Sequence, residues 1–211
     1  MFLLYQKKEK VYPESINIDG DLYSINADFR NILRIFDMLG EKNISGYRKI
    51  KKLTDWFFED GLPENIPPEI IIDAFIVFLD TQTPVSDAVA DTPFQKGASG
   101  HKDEDEEQEK DGRQFCYNFD AKEIYAGFIS QYGIDLICVD FLHWYKFKIL
   151  LDNLSPDSAF KKKIELRFMD LSGNKSTELA LAKESVQLPP DITQMQEIKE
   201  FNEIWGKAGN N

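Results

Sequence analysis

The order of apolar and polar positions along the chain predicts a short β-hairpin followed by helices. Asp19-Gly20 is a two-residue turn signal. A hairpin centred there sets Ile18 opposite Asp21 and Ile16 opposite Tyr23, with Ile25 on the same side. One face is then mostly apolar (Ile16, Ile18, Tyr23, Ile25) and the other mostly polar. A lone hairpin is marginal in water, so the apolar face needs something to pack on. The next segment offers it. Phe29, Ile32, Leu33, Phe36 and Leu39 share one helical stripe, with Asn26 placed to cap a helix starting at Ala27 and Gly40 placed to stop it. A second helix is predicted from Tyr47 to Phe58, with Ile50, Leu53 and Phe57 inward; Asp60-Gly61 and Pro63 end it. Pro67-Pro68 opens a third, whose buried side is Ile71, Ala74, Phe75 and Phe78.

The periodicity then lapses. Residues 81–113 hold Pro84, Pro93, Gly97, Gly100 and Gly112 and few apolar side chains. Within them, His101 to Asp111 carries seven acidic and two basic residues. So little apolar surface does not offset the entropy of ordering, and an acidic flexible linker is expected. Charge runs are ordinarily solvated connectors; an arm for a basic partner is the rarer use.

Beyond the linker helical spacing returns. Asp120 with Glu123 has the form of a capping box. Ala121, Tyr125, Phe128, Ile129 and Tyr132 make the next stripe, and Gly133-Ile134 suits a Schellman stop. Gly127, in mid-helix, costs about 1 kcal/mol against Ala unless a neighbour packs closely there. Phe141 to Leu154 is apolar on nearly all sides and reads as a central, buried helix. Trp144, Phe147, Leu151 and Leu154 make one of its faces; Leu142, Tyr145 and Ile149 make another. Lys146 and Lys148 can extend their heads outward. Ser155-Pro156 is expected to open a helix with Phe160, Ile164 and Phe168 aligned. Pro189-Pro190 ends the core. The tail 191–211, with Met195, Ile198, Phe201 and Trp205, is either an amphipathic helix or loose. The fold class is therefore mainly α: a helical domain with a small N-terminal hairpin and an acidic linker inserted mid-chain. Residues 1–80 and 114–190 are each short for an independent core, so they are expected to share one.

Charge narrows the partners. The 211 residues carry a net charge of -12, whereas nucleic acid and anionic membranes attract basic surfaces. Neither partner is expected. No run approaches the ~18 apolar residues of a membrane span. Met1 to Leu4 is shorter than the ~7–15 residues of a signal-peptide core. Cys116 and Cys138 form neither a metal spacing nor a disulfide framework, so a reducing compartment, the cytoplasm, is expected. The 16 Phe residues suit a compact core.

Chemistry is sparse. His101 lies in the linker. His143 is the one candidate general base, with Asp135, Cys138 and Asp140 nearby in sequence. Cys138 and His143 are five residues apart and no motif surrounds either. A boundary histidine bonded to a carbonyl is the ordinary reading; an enzyme using His143 with Asp135 or Asp140 is a remote one. There is no phosphate-binding glycine loop, no nucleophile elbow and no metal-ligand spacing, so no catalytic residue, metal or cofactor is expected. Lys161-Lys162-Lys163 reads as a solvated helix face. Trp144 and Tyr145 read as core; exposed, they would form a hydrophobic binding site.

Four stretches together carry a resemblance: Tyr117-Asn118-Phe119-Asp120, Ile124 to Phe128, Gln131-Tyr132-Gly133-Ile134-Asp135-Leu136, and Leu142-His143-Trp144-Tyr145-Lys146-Phe147. They resemble the bacteriophage gene-product-fifteen family of siphophages, whose members show a YGIDL segment followed shortly by LHWW-x-F. Ile25 to Arg30 and Ser155 to Asp170 are also similar to it. Tyr145 stands where the family usually has a second Trp, and Ser172 to Gln187 is short and not basic where the family continues with a longer basic helix. The resemblance implies a tail assembly chaperone that binds the phage tape measure protein, keeps it soluble and helps recruit tail tube protein. It would act in the cytoplasm of the bacterial host and be absent from the mature virion. A structural minor tail component is the alternative. The motif residues Tyr125, Phe128, Tyr132, Gly133, Asp135, His143, Trp144, Tyr145 and Phe147 are the partner-binding candidates.

Overall fold

The computed structural model describes residues 12–80, 114–171 and 177–189. The expected linker, 81–113, and the tail, 191–211, lie outside the described residues. Two strands, β1 (Ser15–Ile18) and β2 (Asp21–Ser24), pair antiparallel with Ile18 opposite Asp21 and Ile16 opposite Tyr23. Asp19 and Gly20 both take positive φ, as a tight hairpin turn of this hand requires. The Asn17 carboxamide oxygen accepts from the Gly20 amide and closes the turn. Ile18 and Ile25 are buried on the apolar face, while Leu22 on the other is exposed.

Seven helices follow among the described residues: α1 (Phe29–Gly40), α2 (Gly46–Phe57), α3 (Pro68–Asp80), α4 (Ala121–Tyr132), α5 (Trp144–Asp152), α6 (Ala159–Phe168) and α7 (Thr177–Ser185). The chain is thus mainly helical with a small N-terminal hairpin. α1 packs on both α2 and α5, and this buries Ile35 and Met38 in addition to the stripe read from the sequence. Ile25 pairs with Phe58 in an isolated bridge that ties the hairpin to the end of α2. Phe57, Phe58, Phe75 and Phe78 meet edge to face within 5.2 Å of the Phe57 ring. Buried apolar residues from Ile18 to Phe160, on both sides of residues 81–113, form one continuous hydrophobic cluster.

Several helix starts differ from the sequence reading, because other polar groups claim the backbone first. α1 is capped by Asp28, whose Oδ1 accepts from the Arg30 amide, and not by Asn26. Ala27 and Asp28 stay extended because their backbone pairs with the Leu142–Trp144 stretch, at 2.9 Å from Phe29 N to Leu142 O and 2.7 Å from Trp144 N to Ala27 O. Gly40 lies inside α1, and the helix ends at the extended Glu41. The same bridge delays α5 to Trp144, so Phe141 is exposed rather than part of a buried helix. α6 starts at Ala159 with Ser158 as its cap; Ser155 shapes the preceding turn by accepting the Asp157 and Ser158 amides.

The buried face of α4 is also rotated from the expected stripe. Ile124, Gly127 and Phe128 are buried, whereas Ala121 and Ile129 are exposed. Gly127 explains the rotation. A Cβ there would lie 2.9 Å from Leu154 Cδ1, so the helix approaches the end of α5 through its hydrogen-only position. Asp120 gives α4 no side-chain cap. It is fully buried and instead accepts the Cys116 amide at 3.0 Å, both Arg167 nitrogens at 2.5 and 3.0 Å, and Lys163 at 2.9 Å. Lys163 also pairs with Glu123, so it belongs to this cluster and not to a solvated lysine face. α6 accordingly buries Phe160 and Arg167 and leaves Phe168 exposed.

Candidate functional site

Where α4 ends, Gly133 adopts φ 63 and the chain turns in a Schellman stop, with Gly133 N bonding Ile129 O and Ile134 N bonding Phe128 O. Asp135 then organises the loop. Its Oδ1 accepts the Ile137 and Cys138 amides at 2.9 and 3.2 Å and faces the Tyr125 hydroxyl at 3.3 Å. These donors hold its carboxyl below the usual range, led by the Ile137 amide. The Cys138 thiol is pushed up by its hydrogen bond to Asp135 and by that carboxylate's charge. A raised thiol is the opposite of the activation a nucleophilic cysteine needs.

The loop is fastened at its far end as well. Arg30 binds Asp28 through two nitrogens at 2.8 and 3.0 Å and donates to the Asp140 carbonyl at 2.8 Å. Asp28 Oδ2, which also accepts from Arg30, takes the Leu142 amide at 3.2 Å. Burial pushes the Asp28 carboxyl up, but Arg30 and these amides together hold it below its ordinary value. Leu136 and Leu142 anchor the loop in the core, while Ile137 is 74% and Phe141 56% exposed. Two large apolar side chains are thus held outward by a loop tied down on both sides.

His143 sits at the junction. Its Nδ1 accepts the Tyr145 amide at 3.1 Å as the cap of α5. An acceptor Nδ1 leaves the proton on Nε2, which faces the Pro13 carbonyl at 3.1 Å. Tyr12 stacks on the ring at 4.8 Å. Burial pushes the imidazole below its ordinary value, opposed by the Pro13 carbonyl and the Glu14 charge. Both nitrogens are therefore occupied in neutral imidazole, an arrangement that fixes geometry rather than moves protons.

The other motif residues divide clearly. Phe128 and Trp144 are both buried against Phe147, which stacks on Phe128 at 5.2 Å and on Phe29 at 4.7 Å. Tyr145 is buried with its hydroxyl donating to the Phe78 carbonyl, and Tyr132 donates to Leu150 O at 2.8 Å. Tyr125 is joined to Asp135, as described. Sequence reasoning missed the outward Ile137 and Phe141, and it missed Arg30, Asp28, Lys163 and Arg167 as clamps. Ile137 and Phe141 lie between the two motif segments, which was the available signal. Among the described residues, no group of His, Cys, Asp and Glu is arranged to hold a metal ion, and no helix is long and apolar enough to cross a membrane.

The family model described as Bacteriophage Gp15 protein matches residues 8–188. The chain belongs to this bacteriophage family. The match spans the hairpin, all seven described helices and the clamped loop. No curated protein and no solved structure matches the chain.

Proposed function

We propose that this Gp15-family chain is a non-catalytic tail assembly chaperone that binds the phage tape measure protein and assists tail tube assembly in the host cytoplasm. The observation that carries this reading is the clamped loop. Ile137 and Phe141 cost solvation free energy where they stand, and the bonds from Asp135, Arg30 and Asp28 keep them there. Exposed apolar side chains on a fixed frame suit the apolar stripe of an amphipathic client helix. The family relation supplies the phage context. The engaged state of both His143 nitrogens favours a binding role over acid–base chemistry.

The test is co-expression with the tape measure protein, followed by pull-down and size-exclusion chromatography. A soluble complex that forms only when both chains are present supports the chaperone. A client that stays insoluble and unbound removes it. Mass spectrometry of purified particles separates the alternative role: abundant peptides from this chain in finished virions would make it a structural minor tail component.

A further inference from the structure

In an acidic chain, α2 and α6 are the basic helices, and most of the α6 cations are paired with carboxylates. α2 carries Arg48, Lys49, Lys51 and Lys52 against the single carboxylate of Asp55. Lys49 is used internally, donating to the Leu39 carbonyl. Arg48, Lys51 and Lys52 share the outward side of the helix, and α1 adds Arg34. The Arg34 guanidinium lies 3.6 Å and the Lys52 ammonium 5.3 Å from the centre of the Trp56 ring, so α1 and α2 present one continuous cationic surface. Among the described residues, none of Arg34, Arg48, Lys51 and Lys52 has a carboxylate within ion-pair distance, in contrast to Arg30, Lys162, Lys163 and Arg167. Tyr47, on the same side of α2, is exposed.

We infer that this surface is a docking site for an acidic polypeptide segment, and that its resident occupant is the chain's own run from Asp103 to Asp111. Charge complementarity is the first argument: the run holds seven carboxylates against a single lysine, Lys110, and is strongly negative. Reach is the second. Asn118 donates to Asp37 of α1 at 2.6 Å, and Asp37 lies one turn from Arg34 on the same helix. Asp111 is seven residues before Asn118, a span of up to roughly 25 Å at 3.3–3.6 Å per residue. The run is therefore linked to the chain within reach of the surface, and such a linked segment has an effective concentration in the millimolar range. Any other acidic partner has to displace it. The inference does not depend on the chaperone reading.

The experiment uses the full chain at low ionic strength and a zero-length carboxyl-to-amine cross-linker, with peptides read by mass spectrometry. Lys51 and Lys52 are expected to couple to carboxylates within residues 103–111, and the yield to fall several-fold in 0.5 M NaCl, where the screening length drops below about 5 Å. In a variant with the seven carboxylates changed to amides, Lys51 and Lys52 should acetylate at least about threefold faster, while Lys162 is unchanged. Mixing heavy- and light-isotope protein assigns the source: links within one isotope support the intramolecular occupant, and heavy–light pairs overturn it in favour of a second copy. Absence of the cross-links together with unchanged acetylation overturns it in favour of a surface left open. An unchanged thermal transition in the amide variant checks that the fold is intact.

Discussion

Ile137 and Phe141 project into solvent, while Trp144, Tyr145 and Phe147, a few residues further on, are sealed in the core. The two stretches have comparable apolar content, so hydrophobicity does not separate them. Backbone bonding does. Residues 142–144 are held by Ala27, Asp28 and Phe29, which aims the following helix inward. Residues 135–139 are folded back on the Asp135 carboxylate and carbonyl, which leaves Leu136 in the core and aims Ile137 outward. Burial thus follows from which polar groups claim the backbone, and the inner stretch should govern stability while the outer one governs binding.

The largest expected effect breaks the inner side. Phe147→Ala removes a ring stacked on Phe29, Phe128 and Trp144. It should cost about 3–5 kcal/mol, the usual range for a large aromatic deleted from a core. Chemical denaturation measures it; a loss under about 1 kcal/mol would mean that the core collapses readily around the gap.

A smaller effect tests how closely α4 approaches the end of α5. Gly127→Ala gains roughly 1 kcal/mol of helix propensity but drives a Cβ into Leu154, and such overpacking costs roughly 1–3 kcal/mol. The net expectation is a loss of about 1 kcal/mol. In a Leu154→Ala background the clash is gone, and the same change should become stabilising. An unchanged sign in that background would show that the close approach is not what the glycine serves.

Much of this was legible in the sequence. The hairpin register followed from Asp19-Gly20 and alternation, and the inward faces of α2 and α3 followed from Ile50, Leu53, Phe57, Ile71, Ala74, Phe75 and Phe78. The stop at Gly133 and the crowding at Gly127 were readable too, because glycine there has few other uses. What failed was long-range. Asp120 looks like a cap until Arg167, forty-seven residues on, is placed against it. Phe141 looks helical until Asp28 takes the next amide. Local spacing holds no record of which distant group will compete for a backbone donor.

The junction between the two stretches should respond to pH. Burial holds the folded His143 below its ordinary value of 6.5. The unfolded chain therefore binds more protons as pH falls past that value, and stability rises with pH in this window. The contribution is fully present above about pH 6.5 and is lost as pH falls through the folded value. Denaturation midpoints between pH 7.5 and 5.5 should decline in the parent chain and decline less in His143→Asn, which keeps a capping oxygen for α5. Equal slopes in both would place the acid sensitivity elsewhere.

The smallest effect on stability belongs to the outer stretch. Ile137→Ser and Phe141→Ser touch side chains that are mostly in water, so each should shift stability by no more than about 0.5 kcal/mol. Their effect on client capture should be far larger, since removing a buried apolar contact on binding costs roughly 1.5–3 kcal/mol, or about tenfold or more in affinity. The comparison sharpens if the two readouts separate: Phe147→Ala loses stability, whereas Phe141→Ser keeps the denaturation curve and loses the tape measure complex. If Phe141→Ser binds as well as the parent chain, the clamped loop is not the client surface. If it instead unfolds the protein, Phe141 is covered in solution and the outward reading of the loop is lost.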